Sequence, residues 1–408
     1  MFLRMSFYKL YESYIMLYSF VFIFTPMGLL STLKSLMLVA LLLLFFIKIY
    51  SKVSYKIMGL PIVILLLLLL ETQHSFYNGS FEKEIFLEFK SMIGVFFSAF
   101  ILVYSLTKEF INPKKYLKII ILAHMLYLLI KIILTLAYFF DVELASILIS
   151  ELSDSLGVNI LAYGVIPKIT LPNDILTPIV ILIILLHQSL RNKLFRFNID
   201  KLILMIAFIS ILMTFNRYNI VILGSGILLY LLIIDIKKIF HFTIGIGIFL
   251  FLFTLVDNTL INVVLELWDH RLSTEGDLST GEKTYQYSLF WDRIQNNIFF
   301  GNGLGTFLYD YIRDDGIRYG YEAFIMLLLY QFGIIGVIFL LSYYYLFYFL
   351  NIKYLKNKYL FFNLIMSTFL FVVSFVNPMI LNSMFAVAYT LVISNFILTK
   401  KLTGKRNG

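Results

Sequence analysis

The sequence predicts an all-α, polytopic integral membrane protein of about 12 transmembrane helices, and three observations predict it. Apolar residue types make up 61% of the 408 residues, against roughly half in soluble globular domains. They fall into runs of bilayer-spanning length. Cations concentrate in alternate connections between those runs, as the positive-inside rule requires. A soluble enzyme, a secreted disulfide scaffold and a disordered chain are excluded. The absence of cysteine excludes thiol chemistry and thiolate metal sites while leaving the compartment open.

The runs are justified in chain order. Tyr14 to Leu30 follows Arg4 and Lys9 and lacks a small-residue cleavage site, so it reads as an uncleaved helix whose N-terminus is cytoplasmic. Leu36 to Ile49 and Ile57 to Leu70 are joined on the inside by Lys48, Lys52 and Lys56. Ser91 to Leu106 and Leu117 to Phe140 are joined there by Lys108, Lys114, Lys115 and Lys118. Ile175 to Leu190 and Leu202 to Phe215 share Arg191, Lys193, Arg196 and Lys201, and Ile220 to Ile234 and Phe242 to Val256 share Lys237 and Lys238. Glu322 to Leu350 and Tyr359 to Val376 share Lys353, Lys356 and Lys358. Met379 to Ile397 leads into Lys400, Lys401, Lys405 and Arg406, so both termini are expected in the cytoplasm and the chain in a plasma membrane, the inner one if the cell is Gram-negative. The net charge of +9 is thus a topology signal, and the expected surroundings are a lipid bilayer with no nucleic acid.

Three outside segments are long enough to do chemistry: Glu71 to Lys90, Asp141 to Asp174, and Asn258 to Gly320. No repeat or hydrophilic linker divides the chain, which reads as a single membrane domain over residues 1–408 with 258–320 as its large extracytoplasmic loop. In the second segment Leu144, Leu148, Leu152 and Leu156 recur at intervals of four, the pattern of an amphipathic helix at the interface. In the third, Ser279 and Glu282 stand in capping-box spacing before a helical run from Lys283 to Phe299. Gly301, Gly303 and Gly305 end it, either as a plain helix stop or as a turn whose N–H groups line an anion site.

Arg217 interrupts apolar sequence at an outside turn, where it either snorkels or pairs with an anion. Arg271, Lys283, Arg293, Arg313 and Arg318 stand in an otherwise acidic loop, and as a set facing the membrane they suggest a lipid-borne phosphate. Glu322 opens a span, where its carboxylate either meets the helix dipole or serves as a base. His124, Tyr127, Lys131, Thr135 and Tyr138 share one helix face, so His124 and Lys131 are candidate cavity-lining residues or interhelical hydrogen-bonding groups. No clustered ligands support a bound metal.

Taken together, the spans, the outside turn Asn216, Arg217, Tyr218 and the late outside loop resemble the bacterial O-antigen polymerase (Wzy-type) family. The loop strings Thr280, Gly281, Glu282, Lys283 and Asn297 through Gly305 resemble its signature, as do Tyr321, Glu322, then Gln331 through Gly336, then Asn377, Pro378. The resemblance implies a glycosyltransferase that joins undecaprenyl-pyrophosphate-linked oligosaccharide repeat units on the outer face of the plasma membrane. It implies no cofactor, and a chain-length-regulating membrane protein as a candidate partner. Arg217, Arg271 and Arg293 would hold the pyrophosphate, with Lys283, Arg318 and the glycine turn nearby, and Glu322 would be the base. Related O-antigen ligases carry arginine where Lys283 falls and a His-Asn pair where this chain has Tyr321 and Glu322. Ligase and lipid-linked oligosaccharide flippase are the alternatives.

Overall fold

The computed structural model describes residues 2–25, 31–48, 55–140, 143, 147, 159–161, 168–170, 172–195, 198–214, 217–237, 275–312, 321, 323–376 and 383–404. Twelve α-helices are present among them. They are α1 Phe2–Phe24, α2 Ser31–Lys48, α3 Tyr55–Tyr77, α4 Glu82–Thr107, α5 Pro113–Phe140 and α6 Leu176–Ser189. The rest are α7 Ile199–Thr214, α8 Arg217–Ile234, α9 Glu275–Ile294, α10 Phe324–Leu350, α11 Lys358–Val376 and α12 Ser383–Gly404. Four of them, α4, α5, α10 and α12, include stretches long and apolar enough to cross a bilayer by length and composition, and shorter apolar helices accompany them. Leu43, Leu66, Ile133, Val221 and Ile338 are exposed on these helices. Large apolar side chains turned outward on so many helices suit lipid as the surrounding solvent, and the chain has the make-up of a multi-pass membrane protein.

The twelve observed helices are not the twelve predicted spans. The expected span Phe242 to Val256 lies outside the described residues, and α9 is a polar helix of the large loop. The predicted outside loop Glu71 to Lys90 is instead the ends of two helices, since α3 continues to Tyr77 and α4 begins at Glu82. Hydropathy reads Glu71, Glu82, Glu84 and Glu88 as loop, but glutamate propagates helix well and Glu84 and Glu88 are buried against protein. The capping box is also displaced, because α9 starts at Glu275 and places Ser279 inside the helix. Glu143 and Ile147 are helical, but the Leu144, Leu148, Leu152 and Leu156 stripe falls outside the described residues. A short antiparallel ribbon, β1 Asn159–Leu161 with β2 Lys168–Thr170, follows, with Ile160 opposite Ile169. The sequence reading contained no strand.

The core sits around α12, against which α4, α5, α11 and α1 pack. A helix enclosed on all sides cannot be amphipathic, and α12 is not: Thr390, Ser394, Asn395, Thr399 and Thr403 are all buried within it. All of these side chains but Thr399 find protein partners, as buried polar groups usually must. Tyr116 Oη and Thr390 Oγ1 are 2.8 Å apart, Ser394 donates to the Pro113 carbonyl at 2.8 Å, and Asn395 joins His187 at 2.8 Å and Asn363 at 2.5 Å.

Polar contacts sort the connections into two ends. Lys401 pairs with Glu109 at 2.8 Å and Lys115 with Glu12 at 3.4 Å, while Lys358 donates to the Ile234 carbonyl at 2.6 Å; all are segments the charge rule assigns inside. Asn78 donates to the Asn302 carbonyl at 3.1 Å and Asn173 to that of Ile23, all at the opposite end.

Candidate functional site

The large loop is locked into the bundle where α10 is broken. Gly333 adopts φ 60 and ψ −175, a conformation only glycine tolerates, so the helix loses its own hydrogen bonds at that turn. Freed backbone groups at membrane depth need partners. The loop supplies them: Asn302 and Gly303 N–H donate to the carbonyls of Tyr330 and Gln331, both at 2.8 Å, while Ile334 and Ile335 N–H donate to Ile298 and Phe299 at 2.9 and 3.2 Å. The two strings quoted separately from the sequence, Asn297 to Gly305 and Gln331 to Gly336, are therefore the two halves of one interlock.

Gly301, Gly303 and Gly305 serve this close packing. All three have positive φ, and an added Cβ would lie 2.2 Å from the Gln331 carbonyl, 2.3 Å from Ser75 Oγ and 2.5 Å from the Ile85 nitrogen, respectively. Their N–H groups are already donated, to Asn297, to Gln331 and, for Gly305, to the buried carboxylate of Glu88. They therefore act as a packed turn, and the expected anion-lining role has no N–H of these three left to serve it. Glu88 also accepts from Gln331 Nε2 at 2.9 Å, which ties α4, the loop and α10 at one point.

Helix α9 bridges the starts of two other helices. Lys283 donates to Tyr218 Oη at 2.5 Å and stands 5.0 Å from the centre of that ring. Tyr218 directly follows Arg217, the first residue of α8. One turn along α9, buried Gln286 accepts the Ala323 N–H at 3.0 Å, capping the approach to α10. Glu282 accepts from Tyr311 Oη at 2.8 Å on the same side. Tyr321 is buried beside Phe290, accepts the Leu308 N–H at 2.8 Å and donates to the Tyr311 carbonyl at 3.0 Å. Burial pushes its hydroxyl up to about 12, so it stays neutral and keeps both bonds.

The structure thus brings Lys283 beside the chain at Arg217, and fixes both chain neighbours of Glu322. Glu322, Arg271 and Arg318 themselves lie outside the described residues, as does the side chain of Arg217. Arg293 stands apart from Lys283 but close enough to Tyr321 to act on its hydroxyl. It pairs with Asp310, and ten residues of helix separate it from Lys283 by roughly 15 Å of rise. In the bundle, His124 hydrogen-bonds Thr177 at 3.0 Å, and Lys131 donates to Asp174 at 2.9 Å and to the Ser210 carbonyl at 3.2 Å. Of the two sequence readings for this stripe, interhelical bonding is the one these contacts fit.

Sequence reasoning missed Glu88, Gln286 and Asp174. A carboxylate three residues before an expected span is indistinguishable from loop polarity, and Asp174 counted as the last residue of an outside segment. The available signal was Lys131, since an ion at membrane depth demands a partner. Among the described residues no group of three or more His, Cys, Asp or Glu is placed to hold a metal ion. Family models, curated proteins and solved structures yield no match to this chain.

Proposed function

We propose that this chain is a polysaccharide polymerase of the O-antigen or capsular kind, joining undecaprenyl-pyrophosphate-linked oligosaccharides at the outer face of the plasma membrane. The observation that carries the reading is the Lys283 contact with Tyr218, which sets a loop cation beside the helix start that opens on Arg217. Two cations at one outer rim suit a lipid diphosphate, and the family resemblance of the same segments supports that ligand. Arg217 and Lys283, with Arg271 and Arg318 from the loop, hold the pyrophosphate and stabilise the charge that grows on it. Glu322 takes the proton of the acceptor hydroxyl. The oxygen then bonds to the anomeric carbon of the donor sugar as its bond to phosphate oxygen breaks, and the lipid pyrophosphate leaves with the electron pair. One displacement inverts the anomeric centre. The energy comes from the activated donor.

The test is a surface-polysaccharide ladder from cells carrying Arg217→Ala, Lys283→Ala or Glu322→Gln. Each is expected to collapse the ladder to single repeat units at unchanged protein level, and purified protein with lipid-linked repeat unit is expected to give longer products without added nucleotide. Ladders unaltered in all three variants would remove these residues from the mechanism. The buried Lys131–Asp174 pair favours a flippase as the second reading. Repeat units stranded on the cytoplasmic face after deletion would select it.

A further inference from the structure

At the end of the bundle opposite this site lies a cavity of about 1090 Å³, lined by α1, the α4–α5 turn, and the last turns of α10 and α12. Its lining changes character along α12, from Phe396 and Leu398 to Lys400 and Lys401, and Phe347 of α10 stacks edge-on against Phe396 at 5.3 Å. The charges do not cancel. Glu109 is matched by Lys401 and Glu12 by Lys115. Lys114 and Lys400 also line the cavity, and their partners are neutral: the Lys193 carbonyl at 3.2 Å for one, Asn351 Oδ1 at 3.4 Å and the Tyr354 ring at 3.5 Å for the other. Two ammonium groups without a carboxylate therefore face a space that is floored by aromatic and aliphatic side chains.

We infer that this cavity is a binding site for an anionic phospholipid of the adjoining leaflet. Its phosphate lies between Lys114 and Lys400, and an acyl chain follows the partly exposed apolar surface of Phe110, Ile397 and Leu402, beneath which Phe347 and Phe396 pack. A soluble anion would satisfy the lysines and leave the apolar floor wet; a neutral lipid would cover the floor and leave the lysines unmatched. Basic pockets between transmembrane helices on the cation-rich side recruit acidic headgroups by this combination. Nothing in this inference depends on the polymerase reading, because it uses the other end of the molecule.

The test is native mass spectrometry of the purified full chain in detergent with added phosphatidylglycerol or phosphatidylcholine. Phosphatidylglycerol is expected to be retained preferentially, with the preference falling roughly fivefold in Lys400→Gln and about 30-fold in Lys114→Gln with Lys400→Gln. Glutamine keeps a donor for the same neutral partners. Should the double variant aggregate, Lys400→Gln alone carries the comparison. Equal retention of the two lipids by the wild-type chain would overturn the inference, as would a wild-type preference in the variants. Competition by glycerol phosphate as effective as by the lipid would assign the site to a soluble anion instead. Tighter phosphatidylglycerol retention after truncation at Gly404 would make the chain's own basic tail the occupant.

Discussion

Gly333→Ala tests whether the loop is held by the broken helix. At φ 60 and ψ −175 the backbone occupies a region that costs a residue with a side chain about 1–3 kcal/mol. The new Cβ would stand 2.3 Å from the Phe299 carbonyl oxygen and 2.4 Å from its carbon. That carbonyl cannot recede freely, since it accepts the Ile335 N–H at 3.2 Å. Overpacking of this kind costs a further ~1–3 kcal/mol, giving a loss of about 4 kcal/mol out of a typical total of roughly 5–15 kcal/mol. Gly224→Ala is the matched control, because nothing lies within 4 Å of its Cβ position and it sits inside α8. There alanine is expected to be neutral or to stabilise by up to ~1 kcal/mol. The assay is thermal unfolding in detergent followed by size-exclusion chromatography, with limited proteolysis of the segment between α9 and α10 as a second readout. A Gly333→Ala protein that melts with the Gly224→Ala control and resists protease equally would refute the interlock.

Three further outcomes are expected. Glu88→Leu strands the Gly305 N–H at a cost of about 1–3 kcal/mol and leaves Gln331 Nε2 with the Thr306 carbonyl alone, so its melting temperature is expected to fall below that of Glu88→Gln; equal melting would show that the carboxylate is not the tie point. Lys131→Met removes the ammonium that faces Asp174 in a buried pair, at a cost of ~3–5 kcal/mol, whereas Lys131→Met with Asp174→Leu is expected to recover most of the loss. A double variant as unstable as the single would indicate that packing, not charge, fails at this site. Arg293→Gln removes a part-exposed ion pair worth about 1 kcal/mol or less, so polymer ladder and protein level are expected to be unchanged; a collapsed ladder at normal protein level would return Arg293 to the substrate.

The lipid-facing architecture was legible because burial in a bilayer is a property of composition. A span must be apolar over its length whatever it packs against, so run length and cation placement located eleven of the twelve observed helices to within a few residues to about a dozen at their ends. Polar helix ends failed for the converse reason. Glu88 is tolerated in α4 because the loop and α10 donate to it, and no local pattern records a neighbour that arrives more than 200 residues later.

By itself the sequence predicted a multi-pass membrane chain, which of its connections share an end, and a backbone demand at Gly301, Gly303 and Gly305. Only the tertiary structure decided what that demand is: the loop is threaded back onto a broken helix, with glycine N–H groups donated inward and Arg293 turned to Asp310. The physical reason is that hydrophobic partition acts residue by residue, whereas hydrogen bonds and ion pairs in a solvent that supplies none must be completed between distant segments, and which segments meet is written only in three dimensions.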